Sequence, residues 1–161
     1  MTIAENIAKI RENMAAAARE AGRDPREILL VGASKMNDAA ACREAIAAGI
    51  DALGENRVQE MVQKMEQHAY DGAPLHFIGH LQRNKVKQVV GHVALIQSVG
   101  SLELLEEIEK VAAARDLTQD ILLEVNIGRE AAKSGFLPED ILPGAEAALT
   151  KAHVRVRGLM T

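Results

Sequence analysis

Apolar residues along the chain recur in two alternating rhythms. In TIAENIAKIRENMAAAAREAGRDP, Ile3, Ile7, Ile10 and Met14 return every three or four positions behind a Thr2/Glu5 pair with capping-box spacing. This predicts an amino-terminal helix stopped by Gly22 and Pro25. From there, short apolar runs alternate with longer amphipathic segments. The runs predict strands near 28–34, 51–54, 75–79, 93–98, 120–126 and 153–160. Helices are expected between them, near 38–48, 56–69, 82–90, 101–115 and 138–151, stopped by Gly49 and Gly91 or started by Ser101 and Pro138. So regular an alternation implies parallel strands joined by right-handed crossovers. With no low-complexity linker and no internal repeat, residues 1–161 read as one α/β domain.

Two α/β architectures compete, the closed (β/α)8 barrel and the open doubly wound sheet; in both, chemistry sits at the carboxyl ends of the strands. Those ends read Ser34-Lys35, Gly54-Glu55-Asn56, Gly79-His80, Ser98, Asn126-Ile127-Gly128 and Gly158-Leu159-Met160-Thr161. Polar or glycine positions at nearly every exit suit a ligand-facing rim, although turn chemistry favours the same residues. Strand parity adds a second clue. Leu122, Glu124 and Asn126 share one face of their strand, and Arg155 and Arg157 share one face of the next. Charges on two neighbouring strands would be hard to bury between helix layers, whereas a barrel interior can pair Glu124 with an arginine of the next strand.

Composition narrows the class of function. The chain of 161 residues is long enough for a substantial core but short for eight repeated units. A net charge of -4 gives no general attraction to nucleic acid, and aromatics at 2% offer no stacking platform for single strands. No stretch resembles a signal peptide or a membrane span, and the single cysteine, Cys42, excludes a disulfide framework; a cytoplasmic location is expected. Cys42 itself reads as a small core residue of an Ala-rich helix.

Several motifs carry no chemistry. GASK lacks the spacing of a phosphate-cradling P-loop, and no dinucleotide-type glycine pattern occurs. His76 and His80 are four apart but span a strand end, so a metal site is not expected. Arg83, Lys85 and Lys87 read as a solvated helix face. Lys35 is different. An amine at the carboxyl end of a buried parallel strand can be partly desolvated, which favours the neutral, nucleophilic form and allows Schiff-base chemistry with a carbonyl.

GASKMN at the first strand end, GENRVQE at the second, HFIGHLQRNK at the third, and VNIGREAAKSGF followed by RVRGLMT together resemble the pyridoxal phosphate homeostasis protein family, relatives of the alanine racemase amino-terminal barrel. The likeness runs from the first helix to the last residue. It departs mildly at Met36 and Asn37, where the family more often has a Thr or a second Lys. The resemblance implies a (β/α)8 TIM-type barrel with an extra amino-terminal helix, of which about six βα units are present. It implies pyridoxal 5'-phosphate (PLP) held as an internal aldimine on Lys35, with Asn56 near the cofactor and Ile78 and Met160 in the pocket wall. His76, Ser98, Asn126 and Ser134 are further implied contacts, each with an ordinary structural role as the alternative.

The function implied is non-catalytic: holding PLP in balance within the cell, with PLP-dependent apoenzymes as candidate recipients. A fold-III PLP enzyme such as an amino-acid racemase is the second reading and a PLP-free Schiff-base aldolase the third. A racemase of that type needs a tyrosine base from a second domain, and the only tyrosine here is Tyr70. The family continues through two more strand and helix units that carry the phosphate cradle. The chain is therefore expected to be a truncated piece, or to self-associate to cover two open sheet edges.

Overall fold

The computed structural model describes residues 1–161. The amino-terminal helix α1 (Ile3–Glu20) starts at the capping box read from the sequence: Thr2 accepts from the Glu5 amide, and the Glu5 side chain accepts from the Thr2 amide. Five βα repeats and a sixth strand follow. The strands are β1 (Val31–Ala33), β2 (Ala52–Glu55), β3 (Leu75–Phe77), β4 (Leu95–Val99), β5 (Gln119–Glu124) and β6 (Val154–Met160). The helices are α2 (Ala39–Ala47), α3 (Val58–Glu66), α4 (Val86–Val89), α5 (Leu102–Ala114) and α6 (Ile141–Leu149).

All six strands are parallel and lie in sequence order, β1-β2-β3-β4-β5-β6. An order without a reversal point belongs to a barrel rather than a doubly wound sheet. The barrel is not closed, because β1 and β6 are not hydrogen-bonded to each other. One apolar core joins one face of the sheet to the helices. Leu53, Phe77, Ile96, Ile121, Leu123 and Val154 from the strands meet Met61, Val86, Leu105, Ile108 and Ala148 from the helices.

Boundaries differ from the sequence expectation for local reasons. The helix expected over 82–90 is a 3₁₀ turn (Arg83–Lys85) followed by the single turn of α4. Carbonyls at its end are taken by the Arg115 guanidinium, which donates to Lys87 and Val90. The helix expected from Pro138 begins instead at Ile141. Pro143 then falls in its first turn, where a missing amide hydrogen costs no helical bond. Gly144 lies against the Phe136 ring, 2.9 Å from where a Cβ would stand.

Candidate functional site

The ends of β1, β2 and β3 form one corner of the molecule. Ala33, Gly54 and His76 pair in a single row across these strands. Lys35, Asn56 and Ile78 lie two residues further along the chain from these positions, just past the ends of the three strands. Small residues make that corner possible. The Ile78 side chain lies over Gly54, with its Cδ1 2.8 Å from where a Cβ would be, and a Cβ on Gly79 would stand 2.3 Å from the Asn56 carbonyl oxygen. The ends of β2 and β3 are therefore pressed closely together. Asn56 keeps its side-chain oxygen Oδ1 buried with no hydrogen-bond partner.

Lys35 is exposed. The shielding that a buried strand end suggested is not provided by the surrounding residues, because the chain leaves the sheet at Ala33 and Lys35 rides on a turn. In that turn the Asn37 amide donates to the Ser34 carbonyl at 3.1 Å, and Met36 adopts the left-handed region with φ 62°. Asp38 then caps α2, accepting from the Ala41 amide at 2.8 Å.

Beneath the turn, on the helix side of the sheet, lies a buried polar cluster. Lys64 of α3 donates to the Glu55 carboxylate at 2.6 Å and to the Ser34 carbonyl at 2.8 Å. Ser34 Oγ and the Tyr70 hydroxyl donate to the same oxygen, Glu55 Oε1, at 2.7 and 3.0 Å. Burial and the Glu55 charge push the Tyr70 phenol well above its usual range, so it stays protonated as a donor. Burial likewise raises the neighbouring Cys42 thiol, which is a packed core residue as the sequence suggested.

The other residues singled out from the sequence divide. His76 is buried in the row it shares with Gly54, and its Nδ1 meets Gln97 Nε2 at 3.0 Å. An amide nitrogen can only donate there, so the proton of the neutral ring sits on Nε2. Burial lowers the His76 pKa, which favours that neutral form. Met160 lies across the sheet on β6, paired with Glu124 of β5. Asn126 and Ser134 build a loop. The Asn126 amide donates to the Glu130 and Lys133 carbonyls and accepts from the Glu130 amide, while Ser134 donates to the Glu124 carboxylate at 2.9 Å. Ser98 is buried without a partner. With Ser134 and Gly135 it lines a pocket of ≈ 580 Å³ beside Arg83 and Ser101, which neither Lys35 nor Asn56 lines.

The expected pairing of Glu124 with an arginine is corrected. Arg155 bonds Asp120 at 2.6 Å, and Arg157 approaches the same carboxylate at 3.7 Å. Register decides this: Asp120 stands opposite Arg155, whereas Glu124 stands opposite Met160. Glu60, Lys64 and Gln97 escaped the sequence reading, and Tyr70 entered it only as the chain's sole tyrosine. Charges inside an amphipathic helix look solvated until a strand is known to run beneath them.

The alanine racemase N-terminal domain family matches residues 6–161 of the chain. A pyridoxal phosphate homeostasis protein of Pseudomonas aeruginosa is 41% identical over 159 residues, covering 99% of this chain and 69% of that protein. The Aquifex aeolicus protein of the same name is 40% identical over 161 residues, covering 100% and 71%. PipY of Synechococcus elongatus superposes with a TM-score of 0.82 in its structure with PLP bound, at 32% identity, covering 99% of this chain and 69% of that one. Alanine racemase of Clostridium difficile shares the fold at a TM-score of 0.68 and 14% identity, covering 82% and 37%.

Proposed function

Because the chain belongs to the pyridoxal phosphate homeostasis protein family, within the alanine racemase N-terminal domain fold, we propose that it binds pyridoxal 5'-phosphate at the corner formed by β1, β2 and β3. The cofactor brings an aldehyde that an amine can trap reversibly, an aromatic ring and a phosphate. The observation that carries the reading is the conjunction of an exposed amine, Lys35, just past the end of β1 with the orphaned Asn56 Oδ1 just past the end of the neighbouring β2. A buried acceptor without a partner costs stability unless a ligand or water supplies the donor. The residues present fit the aldehyde and ring of the cofactor. Lys35 supplies the amine, Asn56 a polar contact, and Ile78 an apolar wall.

In this reading, residues 1–161 act as one PLP-binding unit, with Met160 completing the wall from the far strand. His76 supports the pocket through Gln97. Ser98 of β4, and Asn126 and Ser134 of the loop after β5, are assigned no direct contact. The role is custody of PLP without turnover, in the cytoplasm, with PLP-dependent apoenzymes as recipients and self-association through the open sheet edges. No helix is long and apolar enough to cross a membrane. Tyr70 supports the non-catalytic assignment, because its hydroxyl is committed to Glu55 on the helix side and offers no base at Lys35.

Incubation with PLP, borohydride reduction and peptide mapping test the reading. A pyridoxyl group is expected on the Lys35 peptide and absent after Lys35→Ala. Labelling confined to other lysines, or none at all, overturns it.

A further inference from the structure

Lys35 is exposed, yet the two peptide groups that flank it are both held from below by one helix. The carbonyl of the peptide before it, Ser34 O, accepts from Lys64 Nζ at 2.8 Å. The amide of the peptide after it, Met36 N, donates to Glu60 Oε2 at 3.3 Å. Glu60 and Lys64 are four residues apart on α3, so they share one face of that helix, and their own charged atoms stand 3.7 Å apart. Ser34 O also accepts from the Asn37 amide at 3.1 Å, which uses both of its lone pairs. The turn so held contains Met36 at φ 62°, a conformation a β-carbon disfavours and the surrounding structure must impose. The anchor is stiff in turn. Lys64 is buried against Glu55, and Glu55 directly precedes Asn56, the other residue facing the cofactor corner.

We infer that Glu60 and Lys64 are positioning residues which clamp the backbone on either side of Lys35 and, through Glu55, tie its turn to Asn56. The inference rests on the reading of Lys35 as the PLP-bonding lysine. Neither residue touches the cofactor. Their effect is to fix the root of a flexible side chain, so that less conformational entropy is lost when its amine is captured. The i, i+4 pair therefore acts as a gauge of where the amine stands relative to Asn56.

The test needs a readout in the ligand-free chain as well as in the loaded one. Amide hydrogen exchange at Met36 and neighbouring residues, PLP titration and thermal unfolding are measured for the wild type, Glu60→Ala, Glu60→Gln and Lys64→Met. Glu60 is part-exposed, so its alanine variant is expected to fold. Glu60→Ala is expected to speed Met36 exchange about tenfold while core strand amides stay unchanged, and to weaken PLP binding about tenfold at similar Tm. Glu60→Gln, which keeps an acceptor oxygen, is expected to recover most of both. Lys64→Met is expected to show the same local loosening with a lower Tm. If wild-type Lys35 is labelled by PLP and Glu60→Ala matches it in affinity and Met36 exchange, the clamp is overturned and the cofactor reading stands. If wild-type Lys35 is never labelled, the cofactor reading falls and takes the clamp's purpose with it.

Discussion

Side chains that differ by one atom separate space-limited positions from adaptable ones at the cofactor corner. A methyl group at Gly79 would meet Asn56 backbone at 2.3 Å, and backbone cannot move aside. Gly79→Ala is expected to destabilise the chain by about 3 kcal/mol, lowering Tm by roughly 10 °C in a thermal melt, and to weaken PLP binding by displacing Asn56. At Gly54 the obstacle is the mobile end of Ile78 at 2.8 Å, so Gly54→Ala is expected to cost about 1 kcal/mol in the same melt. His76 supplies a pH signature. Burial holds its imidazole below the usual value, so the unfolded chain takes up the proton first as pH falls. Stability is then full above about pH 6.5 and declines as pH drops towards the folded-state pKa. Urea midpoints measured across acid pH should show a flatter limb in His76→Gln than in the wild type.

Elements are held by contacts of very unequal worth. The Lys64–Glu55 pair sits between α3 and the end of β2 with almost no solvent. Lys64→Met leaves a carboxylate buried without its counter-charge, for which about 3–5 kcal/mol is expected in denaturant unfolding. Asp120 and Arg155 make an equally short contact, 2.6 Å, between β5 and β6, but the arginine is exposed and water screens the charges. Asp120→Asn is expected to cost no more than about 1 kcal/mol by the same measurement. The Asp38 cap at the start of α2 falls between them. Asp38→Ala should cost about 1 kcal/mol, because one orphan amide of the first turn loses its acceptor.

At the scale of the molecule, a sheet in simple sequence order has two ends. β6 pairs with β5 along one side, and no strand within residues 1–161 pairs with its other side. Arg155 and Arg157 are exposed on this strand, and both approach Asp120 of β5 rather than the open side. Self-association of residues 1–161 through these edges is expected to read as a concentration-dependent fraction of larger species in sedimentation. The helix-facing side of that region also leaves Leu142, Leu149 and Leu159 more than half exposed, which adds apolar area to the same edge.

The order of strands and helices, the Thr2/Glu5 capping box and the position of Lys35 at a strand exit were legible in the chain, because each depends on a local periodicity or a short spacing. The burial of Cys42 followed from the same apolar pattern. What no periodicity could express was register across the sheet. It decides that Arg155 meets Asp120 rather than Glu124, that Ala33, Gly54 and His76 stand in one row, and that Ser98 opens into another pocket. Glu60 and Lys64 illustrate the limit most sharply. In the sequence they are an ordinary i, i+4 charge pair; a partner some thirty positions earlier makes them the support of the Lys35 turn. Local spacing is set by the geometry of one chain segment, whereas the worth of a charge is set by what packs over it and how much water is excluded, and only tertiary structure brings those groups together.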